Sequence, residues 1–231
     1  MGYDNSDVND GKRITLDSEL DFDITAADKS MNDFALAKRE RHKAKDVDGY
    51  QHDELRQVGT REFAETFYDT KKEQARANPQ DAWRVSDVNT VEFDWYHPDA
   101  KCYITSDKST LAVTKDGDIV AVCKHPDEAY KGKELIAMAV EKGGCKLDSY
   151  DGNHGFYTKC GFEPVSWCKW DDKYAPDDWK EGRDKKEDII FYRYTGKKDI
   201  DVSYDDFKEN VAPSRDYDEA YRKRDKTIGK D

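Results

Sequence analysis

Ser109-Thr-Leu-Ala-Val-Thr114, Lys115-Asp-Gly117, Asp118-Ile-Val-Ala-Val-Cys123 is the stretch on which the fold turns. Two runs rich in β-branched residues flank Asp116-Gly117, and that dipeptide at that spacing is hairpin chemistry. The second run is almost wholly apolar, which predicts a central strand covered on both faces. Pro126 ends it. Gly132 then opens a helix over about 132–142 whose buried face is Leu135, Ile136, Ala139 and Val140, and Gly143-Gly144 stops it. Cys145-Lys-Leu-Asp-Ser-Tyr150 reads as the next strand. Strand, glycine-opened helix and strand together make a βαβ crossover with parallel strands.

Toward the C-terminus, a short helix over about 153–160 is closed by Gly161. Phe162–Trp170 and Ile189–Tyr194 read as strands, with Tyr174–Trp179 a loop between them. From Lys197 the chain is charged, with a further helix after Pro213. Toward the N-terminus, Val91, Phe93 and Trp95 alternate with Glu92, Asp94 and Tyr96, as in a half-buried strand. Trp83 and Val85 open a short β-like run. Gly59-Thr60 starts a helix, with Thr60 as its cap and Phe63, Ala64, Phe67 and Tyr68 as a narrow apolar stripe; Asn78-Pro79 ends it. Residues 1–33 form an acidic tail that can dock through Leu16, Leu20, Phe22 and Ile24. Residues 34–50 form a basic-leaning, solvated helical patch with Lys38, Arg39, Arg41, Lys43 and Lys45. The expected division is an acidic tail and helical extension over 1–78, a central domain over 79–197 and a charged extension over 198–231.

Composition supports that division. The chain has 231 residues, 39% charged and 36% hydrophobic, against about 25% and 45–50% for an ordinary globular domain. Part of it must therefore be solvated extension, while the 12% aromatic content belongs to a packed core. A net charge of −12 argues against direct nucleic-acid binding, which needs a Lys/Arg surface, and leaves an acidic surface for a basic partner. No run of about 18 apolar residues and no signal peptide is present, so neither a membrane nor secretion is expected. The five cysteines, at 102, 123, 145, 160 and 168, include no CxxC pair. That pattern gives no metal site and no disulfide framework, and it points to a reducing, cytoplasmic setting.

Two clusters carry chemistry. A βαβ unit aims its helix N-terminus, with free N–H groups and the positive end of the dipole, past the end of the preceding strand. Here the turn is His125-Pro-Asp-Glu-Ala-Tyr-Lys131-Gly132-Lys133. Gly132 lets a ligand approach the backbone, and Lys131 and Lys133 add charge. A plain turn with solvated lysines is the other reading. The second cluster is Asn153-His-Gly-Phe-Tyr157-Thr-Lys-Cys-Gly161-Phe162. Asn153 can cap the short helix, and Phe156 and Phe162 can anchor it. Tyr157 is either core packing or a phenol that protonates a leaving group.

Taken in order, these pieces resemble the GNAT-type N-acetyltransferases: an apolar strand, a Gly-opened helix, Gly143-Gly-Cys-Lys-Leu-Asp148, then Asn153-His-Gly-Phe-Tyr157 through Gly161-Phe-Glu-Pro-Val165. Over Trp83–Tyr194 the chain is similar to GNAT-like domains carried by bacteriophages and prophages. The matching pieces there are Ala112-Val-Thr-Lys-Asp-Gly-Asp-Ile-Val120, Lys173-Tyr-Ala-Pro-Asp-Asp-Trp179 and Glu187-Asp-Ile-Ile-Phe191. The resemblance implies an α/β fold, a GNAT-like mixed twisted sheet with a βαβ core and polar helical extensions on both sides.

It also implies acetyl-coenzyme A binding, with the pyrophosphate at Lys131, Gly132 and Lys133. The pantetheine would run along Val122 and Cys123 beside a splay between the two parallel strands, with Asn153 helping to hold it. Tyr157 would be the acid, and Asp148 or Asp151 the base for an amine acceptor, directly or through water. The family's phosphate loop carries Arg or Gln first and Gly or Ala last; here those positions are Ala129 and Glu134. A degenerate, non-catalytic GNAT-fold protein that binds or inhibits a host component, or a virion-associated protein, is the alternative to a phage acetyltransferase in the bacterial cytoplasm.

Overall fold

The computed structural model describes residues 55–85, 93, 97–127, 131–197 and 200–228. The acidic tail, the basic-leaning patch, Ala129 and most of the 91–96 run lie outside the described residues. Phe93 is helical rather than extended: its carbonyl accepts the His97 N–H at 2.8 Å.

The element order is β1 (Arg56–Val58), α1 (Thr60–Ala77), a 3-10 turn (Ala82–Arg84), β2 (Lys101–Ile104), β3 (Thr110–Val113), β4 (Ile119–Cys123), α2 (Gly132–Glu141) and β5 (Lys146–Tyr150). It continues with α3 (His154–Lys159), β6 (Phe162–Cys168), β7 (Ile189–Tyr194), α4 (Tyr204–Asn210) and α5 (Tyr217–Asp225). Two antiparallel ladders result, β1-β2-β3-β4 and β5-β7-β6. The architecture is α/β, as expected, with antiparallel ladders covered by helices.

Several sequence readings change in detail. The β3–β4 hairpin turns at Gly117, whose φ of +85° favours glycine. Trp83 sits in the 3-10 turn rather than a strand, buried at 1% exposure between Tyr150 and Trp170. Gly59, not Thr60, is the N-cap of α1. β4 is the last strand of its ladder instead of a central one. The expected parallel β4–β5 pairing reduces to a single bridge, Asp118 to Lys146.

Alternation along the strands gives the sheet two faces. Leu111 and Val113 of β3, Leu147 of β5, and Ile190 and Tyr192 of β7 share a core with Leu135, Ile136 and Ala139 of α2. On the opposite face, Ala112, Cys102 and Ile104 pack against Phe63 of α1, and Phe191 and Cys168 against Ala220 of α5. The residues beyond 197 therefore contribute packed elements, since Phe207 of α4 joins the main core and Ala220 is fully buried.

Ion pairs reinforce the point where β4 and β5 meet. Arg224 of α5 is fully buried and forms a bidentate pair with Asp118, and its Nε donates to Asp225 at 3.0 Å. Lys146, 3% exposed, donates to Asp116 at 2.6 Å and to Asp225 at 3.1 Å. Partial burial opposes ionisation of Asp116, but hydrogen bonds from Lys146 and Thr114 prevail and hold its carboxyl at about 2.

Candidate functional site

β4 and β5 touch where they begin and part where they end. The Cys145 and Lys146 N–H groups donate to the Gly117 carbonyl at 2.8 and 3.2 Å, next to the Asp118–Lys146 bridge. Beyond that junction each strand pairs only with its own ladder. A cleft of about 340 Å³ opens beside the diverging end of β4.

β4 is irregular as it reaches the cleft. Thr110 pairs with Cys123 and Ala112 with Val120, so Ala121 and Val122 stand opposite the single residue Leu111. This is a β-bulge, and Ala121 takes a φ of +52°, a conformation that costs a non-glycine residue about 1 kcal/mol. Strain of this kind persists where the surrounding structure demands it. Val122 and Cys123, at and after the bulge, line the cleft.

The cleft gathers residues from five parts of the chain. Val122 and Cys123 come from β4; Gly132, Leu135 and Ile136 from the first turn of α2; Asn153, Phe156 and Tyr157 from the start and body of α3. Five of these, Val122, Cys123, Gly132, Asn153 and Tyr157, are candidate cofactor or catalytic residues from the sequence. Lys131 and Lys133 are exposed at its rim and do not line it. The remaining wall was not anticipated: Lys71 and Gln74 from the C-terminal half of α1, its C-cap Asn78, then Asp81, Ala82 and Val85. The Gln74 amide donates to the Lys124 carbonyl and ties α1 to the end of β4. Glu73 and His125 form a second tie, with Nε2 and Oε2 2.6 Å apart.

Tyr157 is half-buried, its ring set against Phe156, Phe162 and Tyr192. Burial pushes its phenol up to about 12, against a weaker downward pull from Ser149. The hydroxyl is therefore protonated at neutral pH and able to donate. Asn153 does not cap α3 with its side chain; its Nδ2 donates to Ser149 Oγ at 2.9 Å. Cys123 is 1% exposed, and burial pushes its thiol up to about 12 despite the nearby Lys71 ammonium. It stays a thiol at neutral pH and serves as wall rather than nucleophile.

The start of α2 differs from an open anion site. The Lys131 N–H donates to the Glu134 carboxylate at 2.8 Å, so the chain's own acid caps this helix. The N–H groups of Gly132 and Lys133 are the first-turn amides that have no intrahelical carbonyl to donate to. A Cβ added at Gly132 would lie 3.3 Å from the Phe156 ring, so this glycine allows α3 to pack close.

Neither candidate base lines the cleft. Asp148 faces α5, where the Tyr217 hydroxyl donates to it at 3.0 Å, while Leu147 and Ser149 take the other side of β5. Burial, then the nearby Asp118 charge, raises Asp148 to about 6. Asp151 accepts the Asp188 N–H at 3.2 Å beyond the end of β5, and burial raises its pKa as well. The carboxylate among the lining residues is Asp81, which is paired with Arg84. Among the described residues no cluster of metal-ligating side chains occurs, and no helix is long and apolar enough to cross a membrane.

No protein-family model matches the chain, and no curated protein matches it. Among solved structures, it is similar to an acetyltransferase from Streptococcus agalactiae 2603, at 13% sequence identity and a TM-score of 0.37. That match covers 62% of this chain and 99% of the other.

Proposed function

We propose that the chain is an acetyl-coenzyme A-dependent N-acetyltransferase of GNAT type, of phage or prophage origin and acting in the bacterial cytoplasm on an amine acceptor. The observation that carries this reading is the meeting of the bulged end of β4 and Tyr157 in one cleft, at the point where β4 and β5 part. Acetyl-coenzyme A would supply an activated acyl thioester.

The chain's own residues supply the rest. Val122, Cys123, Leu135 and Ile136 give an apolar wall suited to a pantetheine arm. The Gly132 and Lys133 amides, with the Lys131 and Lys133 side chains at the rim, suit the phosphates. Tyr157 holds a proton on its hydroxyl for the departing sulfur. Asp81, the carboxylate of the cleft wall and paired with Arg84, would accept a proton from an incoming amine through water, whereas Asp148 and Asp151 do not line the cleft.

One observation favours a second reading, a GNAT-fold protein that binds a host component without catalysis. The Glu134 carboxylate already takes the N–H of Lys131, and it sets a negative charge where phosphates would bind. Calorimetry and thermal unfolding with acetyl-coenzyme A separate the two. Binding at ten times the dissociation constant adds about 1.4 kcal/mol of stability. Saturable heat with that stabilisation is expected; the absence of both at millimolar ligand would overturn the enzyme reading and leave the second.

A further inference from the structure

The face of the sheet covered by α2 runs on past the end of that helix. Along β2, Cys102 and Ile104 pack with Phe63 of α1, whereas Tyr103 joins the core under α2. Lys101, two residues before Tyr103, therefore stands on the α2 side, opposite Val113 of β3 in the ladder. α2 stops at Glu141, and its C-cap Lys142 reaches over the Tyr103 ring, with Nζ 5.8 Å from the centroid. Gly143 turns the chain away at a φ of +98°. Beyond the helix end lies a cavity of about 280 Å³, with Val113, Thr114 and Gly143 in its wall. It shares no residue with the cleft, which opens at the other end of α2.

The charged groups of this cavity are Lys101, Lys115, Lys142 and Asp99. Asp99 approaches Lys115 only to 3.8 Å, and the two side chains are 67% and 81% exposed, so water and salt screen that pair. Lys101 and Lys142 have no carboxylate partner among the described residues. Asp116, the neighbour of Lys115 in the hairpin turn, is held by Lys146 at 2.6 Å and does not line the cavity. The helix dipole accounts for Lys142, which sits at its negative end. It does not account for Lys101 and Lys115. Three ammoniums around one concavity repel one another unless an anion lies among them. In a chain of net charge −12, this net positive concavity runs against the charge of the whole.

We propose that the cavity at the C-terminal end of α2 binds a phosphate group, free or carried by a small ligand, through Lys101, Lys115 and Lys142. A lysine is a point charge suited to a compact, multiply charged anion, whereas planar carboxylates favour the arginine fork, and no arginine lines the cavity. Thr114 is already committed, its hydroxyl donating to Asp116 at 2.6 Å and accepting the Asp118 N–H at 2.8 Å, so the ammoniums carry the recognition. Asp99 is the competing anion at Lys115. The site is independent of the acetyltransferase reading.

The test is calorimetric titration of the full chain at low ionic strength with inorganic phosphate, glycerol 3-phosphate and succinate. Binding of inorganic phosphate alone identifies the free ion; binding of glycerol 3-phosphate as well identifies a carried phosphoryl group. Lys101→Gln and Lys142→Gln should each weaken binding by about two- to five-fold, the scale of one exposed ion pair, and the double variant should weaken it further. Asp99→Asn should keep or tighten it, and added salt should weaken it. Lys169→Gln removes an exposed lysine outside the lining and should change nothing. No binding of either phosphate at millimolar concentration overturns the proposal. So does unchanged affinity in the double variant, an equal loss in Lys169→Gln, or succinate binding as tightly as phosphate. Should a lysine variant fail to fold, as read by its thermal transition, Asp99→Asn decides: retained or tighter binding supports the site and weaker binding overturns it.

Discussion

Arg224 and Asp118 lie 106 residues apart in sequence and meet in a bidentate pair, Nη2 to Oδ2 at 2.7 Å and Nη1 to Oδ1 at 3.2 Å. Both are buried, at 0% and 4% exposure. The pair joins the last helix to the first residue after the hairpin turn, where β4 and β5 touch. Removing one partner leaves a buried charge without its counterion, so Arg224→Met is expected to cost about 3 kcal/mol or more by urea unfolding. Replacing both residues with apolar side chains should cost less than the single substitution, because no charge is left stranded.

Asp148 gives the stability a pH dependence of known sign. Its folded value of about 6 lies above the ordinary carboxylate value, so its contribution is present in acid and lost as pH rises through about 6. Asp148→Asn keeps an oxygen to accept the Tyr217 hydroxyl and removes the charge. It should raise stability at pH 7.5 by about 1–2 kcal/mol and change it little at pH 4. Thermal unfolding across that range checks both halves.

Asp116 runs in the opposite direction. Its value of about 2 lies below the ordinary carboxylate value, so its contribution is present above about pH 4 and lost as pH falls through 2. Asp116→Asn should flatten the acid limb of the stability curve. An acid limb identical to wild type would show that the Lys146–Asp116 pair contributes nothing to stability.

Tyr157→Phe keeps the ring against Phe162 and Tyr192 and deletes the hydroxyl. If the phenol is the acid, acetyl transfer should fall by roughly 10²-fold or more with the fold intact. Stability should change by about 1 kcal/mol or less. Unaltered turnover in a folded variant would remove Tyr157 from the mechanism.

Glu134→Gln removes a charge from the start of α2 and keeps an acceptor for the Lys131 N–H. A helix-terminus charge contributes about 0.3–1 kcal/mol, so coenzyme A affinity should rise by about two- to five-fold. Titration of both proteins at low ionic strength measures the difference.

What was legible in the sequence was local. The β3–β4 hairpin declares itself through Asp116-Gly117, and α2 and α3 through their apolar spacing and closing glycines. β1 and β2 did not, because Arg56–Val58 and Lys101–Ile104 are too short to show alternation. α4 was missed for a similar reason: seven residues with one buried hydrophobe, Phe207, carry little periodicity. The half of the cleft drawn from β4, α2 and α3 followed from motif order. The half drawn from α1 depends on how that helix crosses the sheet, which no local pattern encodes. The available signal was Lys71 on the buried stripe of Phe63 and Phe67. Asp148 and Asp151 were chosen for nearness in sequence, yet strand alternation turns Asp148 toward α5, and Asp151 lies past the end of β5.

The clamp at Asp118 has a consequence for how the chain reaches its native state. The hairpin and the helices form between near neighbours and the β1–β2 and β5–β7 ladders reach further, Arg56 to Ile104 and Lys146 to Arg193, but Asp118 waits for a partner more than a hundred residues downstream. Closing so long a loop costs entropy before any contact repays it, which places this contact among the late ones. During synthesis, the junction of β4 and β5 stays without its guanidinium until residue 224 has emerged. Until then, Asp118 lacks its buried partner, while Lys146 can already pair with Asp116. Closure of the junction beside which the cleft opens thus waits for α5.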